Sequence, residues 1–294
     1  MESVLQISAI EKSYGPVKAL KGVSFEVPKG SVFGVLGPNG SGKTTLLGIL
    51  LDVLKADAGN YQWTNYSSAR DARQHIGSLL ETPNFYHYMT AYDNLEITAN
   101  IKDRGYGDID NVLKKVNLYE RRHTKFSTFS LGMKQRLAIA GALLGSPDIL
   151  VLDEPTNGLD PVGISEIREL IKQLSKEGIT IIMASHLLDE VEKVCTDVAI
   201  LKQGTLLSAG SVLDVLNDED WIELGSTDNV QLASLLRTHP DAKNIREENY
   251  IMASFENGMN TEKLNKFCFE HGITLNHLQK RKRSLESKFM EMTK

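Results

Sequence analysis

The segment Gly37-Pro38-Asn39-Gly40-Ser41-Gly42-Lys43-Thr44 combines glycines, a lysine and a hydroxyl at the spacing of a phosphate-binding loop. Its glycines let the backbone curl until successive N–H groups point at phosphate oxygens. Lys43 is placed to reach the β and γ phosphates, and the Thr44 hydroxyl to reach Mg²⁺. A second chemical pair, Asp153-Glu154, ends the run Asp148-Ile149-Leu150-Val151-Leu152. Asp153 is suited to hold Mg²⁺, directly or through water. Glu154, one residue on, points elsewhere and can take a proton from an attacking water.

Such residues work only if rigid elements present them. The apolar run from Ser31 to Leu36 supplies a strand before the loop, and Thr45 to Leu50 supplies a helix after it, whose N-terminal dipole adds partial positive charge. The run ending in Asp153 reads as a central parallel strand, buried on both faces, so both carboxylates emerge where ligands bind in an open α/β sheet.

A third motif lies shortly before the acidic strand. Phe129-Ser130-Leu131-Gly132-Met133-Lys134-Gln135-Arg136 opens a helical run reaching Leu144, and a serine hydroxyl with free N–H groups at a helix N-terminus forms a second anion site. Phosphate loop, this motif, acidic strand and then His186 follow in the order of the ATP-binding cassette (ABC) ATPases, which the chain resembles. The usual Ser-Gly-Gly reads Ser130-Leu131-Gly132 here, and the usual glutamine is Met133.

That resemblance implies a P-loop NTPase cassette of the α/β class, with a RecA-like core sheet, an antiparallel β subdomain and a helical subdomain at about 82–135. It implies ATP and Mg²⁺, bound by Gly37 to Thr44 with Thr45 beside them. It also implies a second cassette, as a homodimer in which Ser130, Leu131, Gly132 and Met133 of one chain face the ATP of the other. Asp160 of Gly158-Leu159-Asp160 would organise that contact, His186 would hold the γ-phosphate, and Tyr14 would stack on adenine. Glu81 stands where most cassettes have a glutamine that touches the metal and the attacking water. Glu81-Thr82-Pro83, Phe85-Tyr86 and the altered motif most resemble cassettes of drug, peptide-antibiotic and bacteriocin self-protection exporters. The expected catalytic set is Glu154, His186, Lys43 and Glu81, and the expected metal set is Thr44, Asp153 and Glu81.

Composition agrees with a cytoplasmic catalytic subunit, so a transporter of the family it resembles would place its channel on another polypeptide. The 294 residues are 41% hydrophobic and 24% charged, enough for one large domain and a small one, expected at 1–217 and 218–294. Cys195 and Cys268 are the two cysteines, so a reducing compartment is expected. The first residues lack the pattern of a signal peptide, and no run approaches the roughly 20 apolar residues of a membrane span. The chain is expected at the cytoplasmic face of the membrane, held by a polytopic permease. A net charge of −5 argues against a protein that coats nucleic acid.

The helical subdomain would dock the permease, with Tyr86, His87, Tyr88 and Met89 as an aromatic and sulfur-bearing surface. The C-terminal part is read as βαββαβ, suited to a small ferredoxin-like α+β domain, followed by a last amphipathic helix. The run Lys280-Arg281-Lys282-Arg283 meets either anionic lipid or only solvent. Two functions remain at this level: the ATPase of a membrane exporter, and a soluble ABC ATPase acting on ribosomes or DNA. The second usually carries two cassettes or a long insert, and this sequence has neither.

Overall fold

The computed structural model describes residues 2–80, 83–216, 221–247, 249–255, 260–281 and 285–293. The expectations for Glu81, and those touching Thr82, Asp220, Lys282, Arg283 and Ser284, fall outside the described residues. The chain divides between Val215 and Leu216 into two compact units.

The first unit begins with a hairpin, β1 (Ser3–Tyr14) and β2 (Val17–Pro28). There follow β3 (Val32–Leu36), α1 (Lys43–Leu50), β4 (Ala58–Trp63), α2 (Ala69–Gln74) and β5 (Ile76–Leu79). Three helices come next: α3 (Ala91–Lys102), α4 (Ile109–Lys115) and α5 (Leu131–Leu143). The chain then alternates through β6 (Ile149–Asp153), α6 (Pro161–Lys176), β7 (Thr180–Ser185), α7 (Leu188–Val194), β8 (Asp197–Lys202), β9 (Thr205–Ser211) and α8 (Val212–Leu216).

Two sheets result. The larger has the order β5-β6-β7-β3-β8-β9 and is parallel except for β9. Every residue of β3, β6 and β7 is buried, which is why these strands read as unbroken apolar runs rather than alternating ones. The smaller sheet, β2-β1-β4, is antiparallel. Leu46, Leu47, Ile49 and Leu50 of α1 share one core with Leu5, Ile7 and Ile10 of β1 and with Val35, Val151 and Ile182 of the larger sheet. At roughly 1.5–3 kcal/mol per buried aliphatic side chain, this shared core fixes where α1 and the loop before it lie.

The helical stretch has its own anchors. Thr90 and Asp93 form a capping box at the start of α3. Residues 83–90 are turn and extended chain, although the sequence pattern turns helical after Glu81. Pro83 lacks a backbone donor, and the Asn94 side chain takes the place of a helical ladder: its Oδ1 accepts from Tyr86 N–H at 2.8 Å and its Nδ2 donates to Tyr86 O at 3.1 Å. Phe85 and His87 pack edge-on against buried Phe126, while Tyr86, His87 and Tyr88 are all exposed.

The second unit comprises β10 (Trp221–Ser226), α9 (Asn229–Arg237), β11 (Ala242–Glu247), β12 (Ile251–Phe255), α10 (Thr261–Glu270), β13 (Leu275–Arg281) and α11 (Leu285–Thr293). Its antiparallel sheet has the order β11-β12-β10-β13, the ferredoxin-like arrangement of a split βαβ. Ile222, Leu224, Ile251 and Ala253 of the sheet pack on Leu232, Leu236, Leu264 and Cys268 of α9 and α10.

Candidate active site

Because β6, β7 and β3 are consecutive neighbours, the turns after their C-terminal ends converge on one place. The turn after β3 is the glycine-rich loop. Gly42 sits at φ +105, and a Cβ there would lie 2.6 Å from the Ala19 carbonyl oxygen and 2.8 Å from Leu20 Cδ2. Gly204 N–H, in the turn between β8 and β9, donates to Ser41 O at 3.0 Å and ties that turn to the loop.

Lys43, the first residue of α1, is 5% exposed. Its ammonium donates to Gly37 O at 2.8 Å and to Pro38 O at 3.3 Å, and lies 3.3 Å from Glu154 Oε1. Glu154, just past β6, adopts φ +48, a left-handed conformation that costs a non-glycine residue energy. Its N–H is held by Ala184 O of β7 at 3.0 Å. Its second oxygen lies 2.8 Å from Nδ1 of His186, which follows β7. Lys43 at the start of α1, Glu154 just past β6 and His186 just past β7 thus form one continuous polar cluster.

Asp153 is 3% exposed at the end of β6, adjacent to Glu154. Together with the Thr44 hydroxyl, which lines the cleft, it offers the hard oxygen donors that suit Mg²⁺, an ion that retains several waters and takes few protein ligands.

The cleft over the loop has a volume of about 770 Å³, within the range of small-molecule sites. Asn39, Gly40, Gly42, Lys43, Thr44, Thr45 and Glu154 line it, and so does Tyr14. Tyr14 is the last residue of β1 and is 47% exposed. The Tyr14 ring and the glycine-rich loop therefore share one cavity. Val17, Lys18, Lys21 and Gln203 also line it and were not evident from sequence. The lysines add positive charge suited to a triphosphate, but strand residues three apart give no motif. Gln203, at φ +48 in the β8–β9 turn, carried only the weak signal of its place before Gly204.

The remaining residues singled out from the sequence lie together in another place. Ser130 is the N-cap of α5, its hydroxyl accepting from Met133 N–H at 3.2 Å. Ser130 is exposed, Leu131 is 47% exposed, and neither, nor Gly132 or Met133, lines the cleft of the same chain. Asp160 caps α6, its Oδ1 accepting from Gly163 N–H at 2.8 Å. The two caps adjoin: Leu131 packs near Gly158, and Gly132 lies near Gly163.

The family model described as ABC transporter matches residues 20–157. The bacitracin transport ATP-binding protein of Bacillus licheniformis is 36% identical, over 99% of this chain and 98% of the relative. The lantibiotic transport ATP-binding protein of Streptococcus pyogenes is 39% identical over 69% of this chain and 89% of its own length. Among solved structures, a dimeric ATP-binding cassette in a post-hydrolysis state with ADP and Pi aligns with a TM-score of 0.63 and 27% identity, covering 71% of this chain and 98% of that one.

Proposed function

The chain belongs to the ABC transporter family as an ATP-binding, ATP-hydrolysing subunit, and from that premise we propose that it powers an exporter of drug, peptide or lipid-like substrates through a separate polytopic permease. The observation that carries the chemistry is the seating of Glu154 between Lys43 and His186 at a phosphate loop. The names of the bacitracin and lantibiotic relatives favour a membrane transporter over a soluble ATPase acting on ribosomes or DNA. Among the described residues no helix is long and apolar enough to cross a membrane, in keeping with a permease on another chain and a peripheral place at the cytoplasmic face.

In this reading the triphosphate enters the cleft and draws Lys43 from the Gly37 carbonyl and from Glu154. The loop N–H groups and Lys43 then neutralise phosphate charge, and Tyr14 stacks on the base. Glu154, freed on one oxygen, takes the proton of the attacking water. His186 fixes the orientation of that carboxylate and donates to the γ-phosphate. Thr44 and Asp153 would hold Mg²⁺, which supplies electrostatic stabilisation of phosphate charge. From the resemblance, Glu81 is also assigned a role toward the metal and the attacking water. Ser130 to Met133, which lie outside their own chain's cleft and begin with the exposed Ser130 and Leu131, complete the site of a second copy of this chain, with Asp160 holding the adjoining turn. Tyr86 and Tyr88 give the helical subdomain a surface for the permease.

The test is to express tagged Glu154→Gln chain in its native cell, add ATP, and identify what co-purifies from detergent-solubilised membranes. A polytopic membrane protein is expected. Ribosomal or DNA-bound material without a membrane protein would contradict the proposal.

A further inference from the structure

The base-stacking ring lies on a part of β1 that lacks a strand on one side. Pairing between β1 and β4 ends at Glu11 with Ala58, so Lys12, Ser13 and Tyr14 have only β2 beside them. Two-stranded ribbons twist more than sheets, and a ring at the end of one is poorly fixed by backbone pairing alone. Here the residue just before β4, Asp57, takes the place of the missing strand. Its N–H donates to Glu11 O at 2.9 Å, its Oδ2 accepts from Ser13 N–H at 2.6 Å, and its Oδ1 accepts from Lys12 Nζ at 2.7 Å. Asp57 thereby holds each of the three residues that precede Tyr14.

Lys12 carries the restraint to the ring. Its side chain is only 16% exposed, and its ammonium lies over the Tyr14 ring, 5.7 Å from the centroid. The ring that lines the cleft is thus also in contact with a cation. The Lys12 ammonium and the Ser13 N–H hold the Asp57 carboxyl below the usual carboxylate range, so the contact persists throughout neutral pH.

We propose that Asp57 is a positioning residue for the nucleotide base, setting the Tyr14 ring through Lys12 and Ser13 without touching the nucleotide. This rests on the reading of Tyr14 as the base-stacking residue. Asp57 is recruited by the end of one strand pairing, which is why no motif includes it.

The experiment compares full-length Asp57→Ala, Asp57→Asn, Tyr14→Ala and the Tyr14→Ala/Asp57→Ala double variant. It measures KM and kcat for ATP, and binding of inorganic tripolyphosphate, which fits the phosphate loop but has no base. Loss of base stacking is expected to raise KM for ATP about tenfold in Tyr14→Ala, and about three- to tenfold in Asp57→Ala. In Asp57→Ala, kcat stays within about twofold of wild type and tripolyphosphate binding is unchanged. Asp57→Asn, which keeps an acceptor for Ser13, shows a smaller rise. The double variant is no worse than Tyr14→Ala alone, because both changes remove one interaction. Unchanged KM in Asp57→Ala beside a raised KM in Tyr14→Ala overturns the proposal while sparing the role of Tyr14. An equal loss of tripolyphosphate binding overturns it as well, since damage would then extend to the loop. Unchanged KM in Tyr14→Ala removes the premise itself.

Discussion

Glu154 Oε2 lies 2.8 Å from Nδ1 of His186, while Oε1 of the same carboxylate lies 3.3 Å from Nζ of Lys43. One side chain therefore links the lysine of the phosphate loop to the histidine that follows β7. Both partners of Glu154 are groups expected to meet the γ-phosphate, so filling the loop must rearrange the carboxylate that would activate water. Binding and base readiness are therefore coupled through Lys43 and His186, one on each oxygen of Glu154.

If His186 orients Glu154, removing the imidazole should affect turnover more than binding. His186→Ala is expected to lower the ATPase rate by about 10²-fold, with ATP affinity within about threefold of wild type. Steady-state kinetics with equilibrium ATP binding checks this. A large loss of affinity with unchanged kcat would place His186 in binding instead.

The loop depends on a backbone that only glycine adopts without strain at Gly42. Gly42→Ala puts a Cβ into the Ala19 carbonyl at φ +105, and should lower stability by about 1–3 kcal/mol and ATP affinity by about tenfold or more. Denaturant melts and ATP titration of the purified variant report the two effects separately.

The strands carrying this site were legible because β3 and β6 are buried on both faces, which leaves continuous apolar runs ending in glycine or acid. Ser130 and Asp160 were singled out for the site of a second chain, and the structure adds a local role to each, capping an N–H group three residues away. What escaped depends on pairing between distant segments. Lys18 and Lys21 reach the cleft through the β1–β2 register, and Gln203 through a turn pinned to Ser41. Lys102 is similar: its ammonium donates to Gly141, Ala142 and Leu144 carbonyls at the end of α5, a partnership that no local spacing announces.

Lys102 also supplies a pH signature. Burial, with the like charge of Arg104, brings its pKa from 10.5 down to about 8. Between these values the unfolded chain binds more protons than the folded one, so this group's contribution to stability rises with pH from about 8 to above 10 and is lost as pH falls through 8. Between pH 7.5 and 9.5, wild type should gain on the order of 2 kcal/mol relative to Lys102→Met, which has no such group. Urea melts of both proteins at the two pH values measure the difference. Parallel pH dependences would contradict the buried charge.

The most direct test of the central claim, hydrolysis through Glu154 in a site completed by a second chain, is to follow ATP binding, turnover and mass of purified Glu154→Gln protein in one preparation. The account predicts retained ATP affinity, turnover lower by about 10²-fold or more, and an ATP-dependent rise from monomer to dimer mass. Turnover at the wild-type rate, or a nucleotide-bound species that remains monomeric, would contradict it.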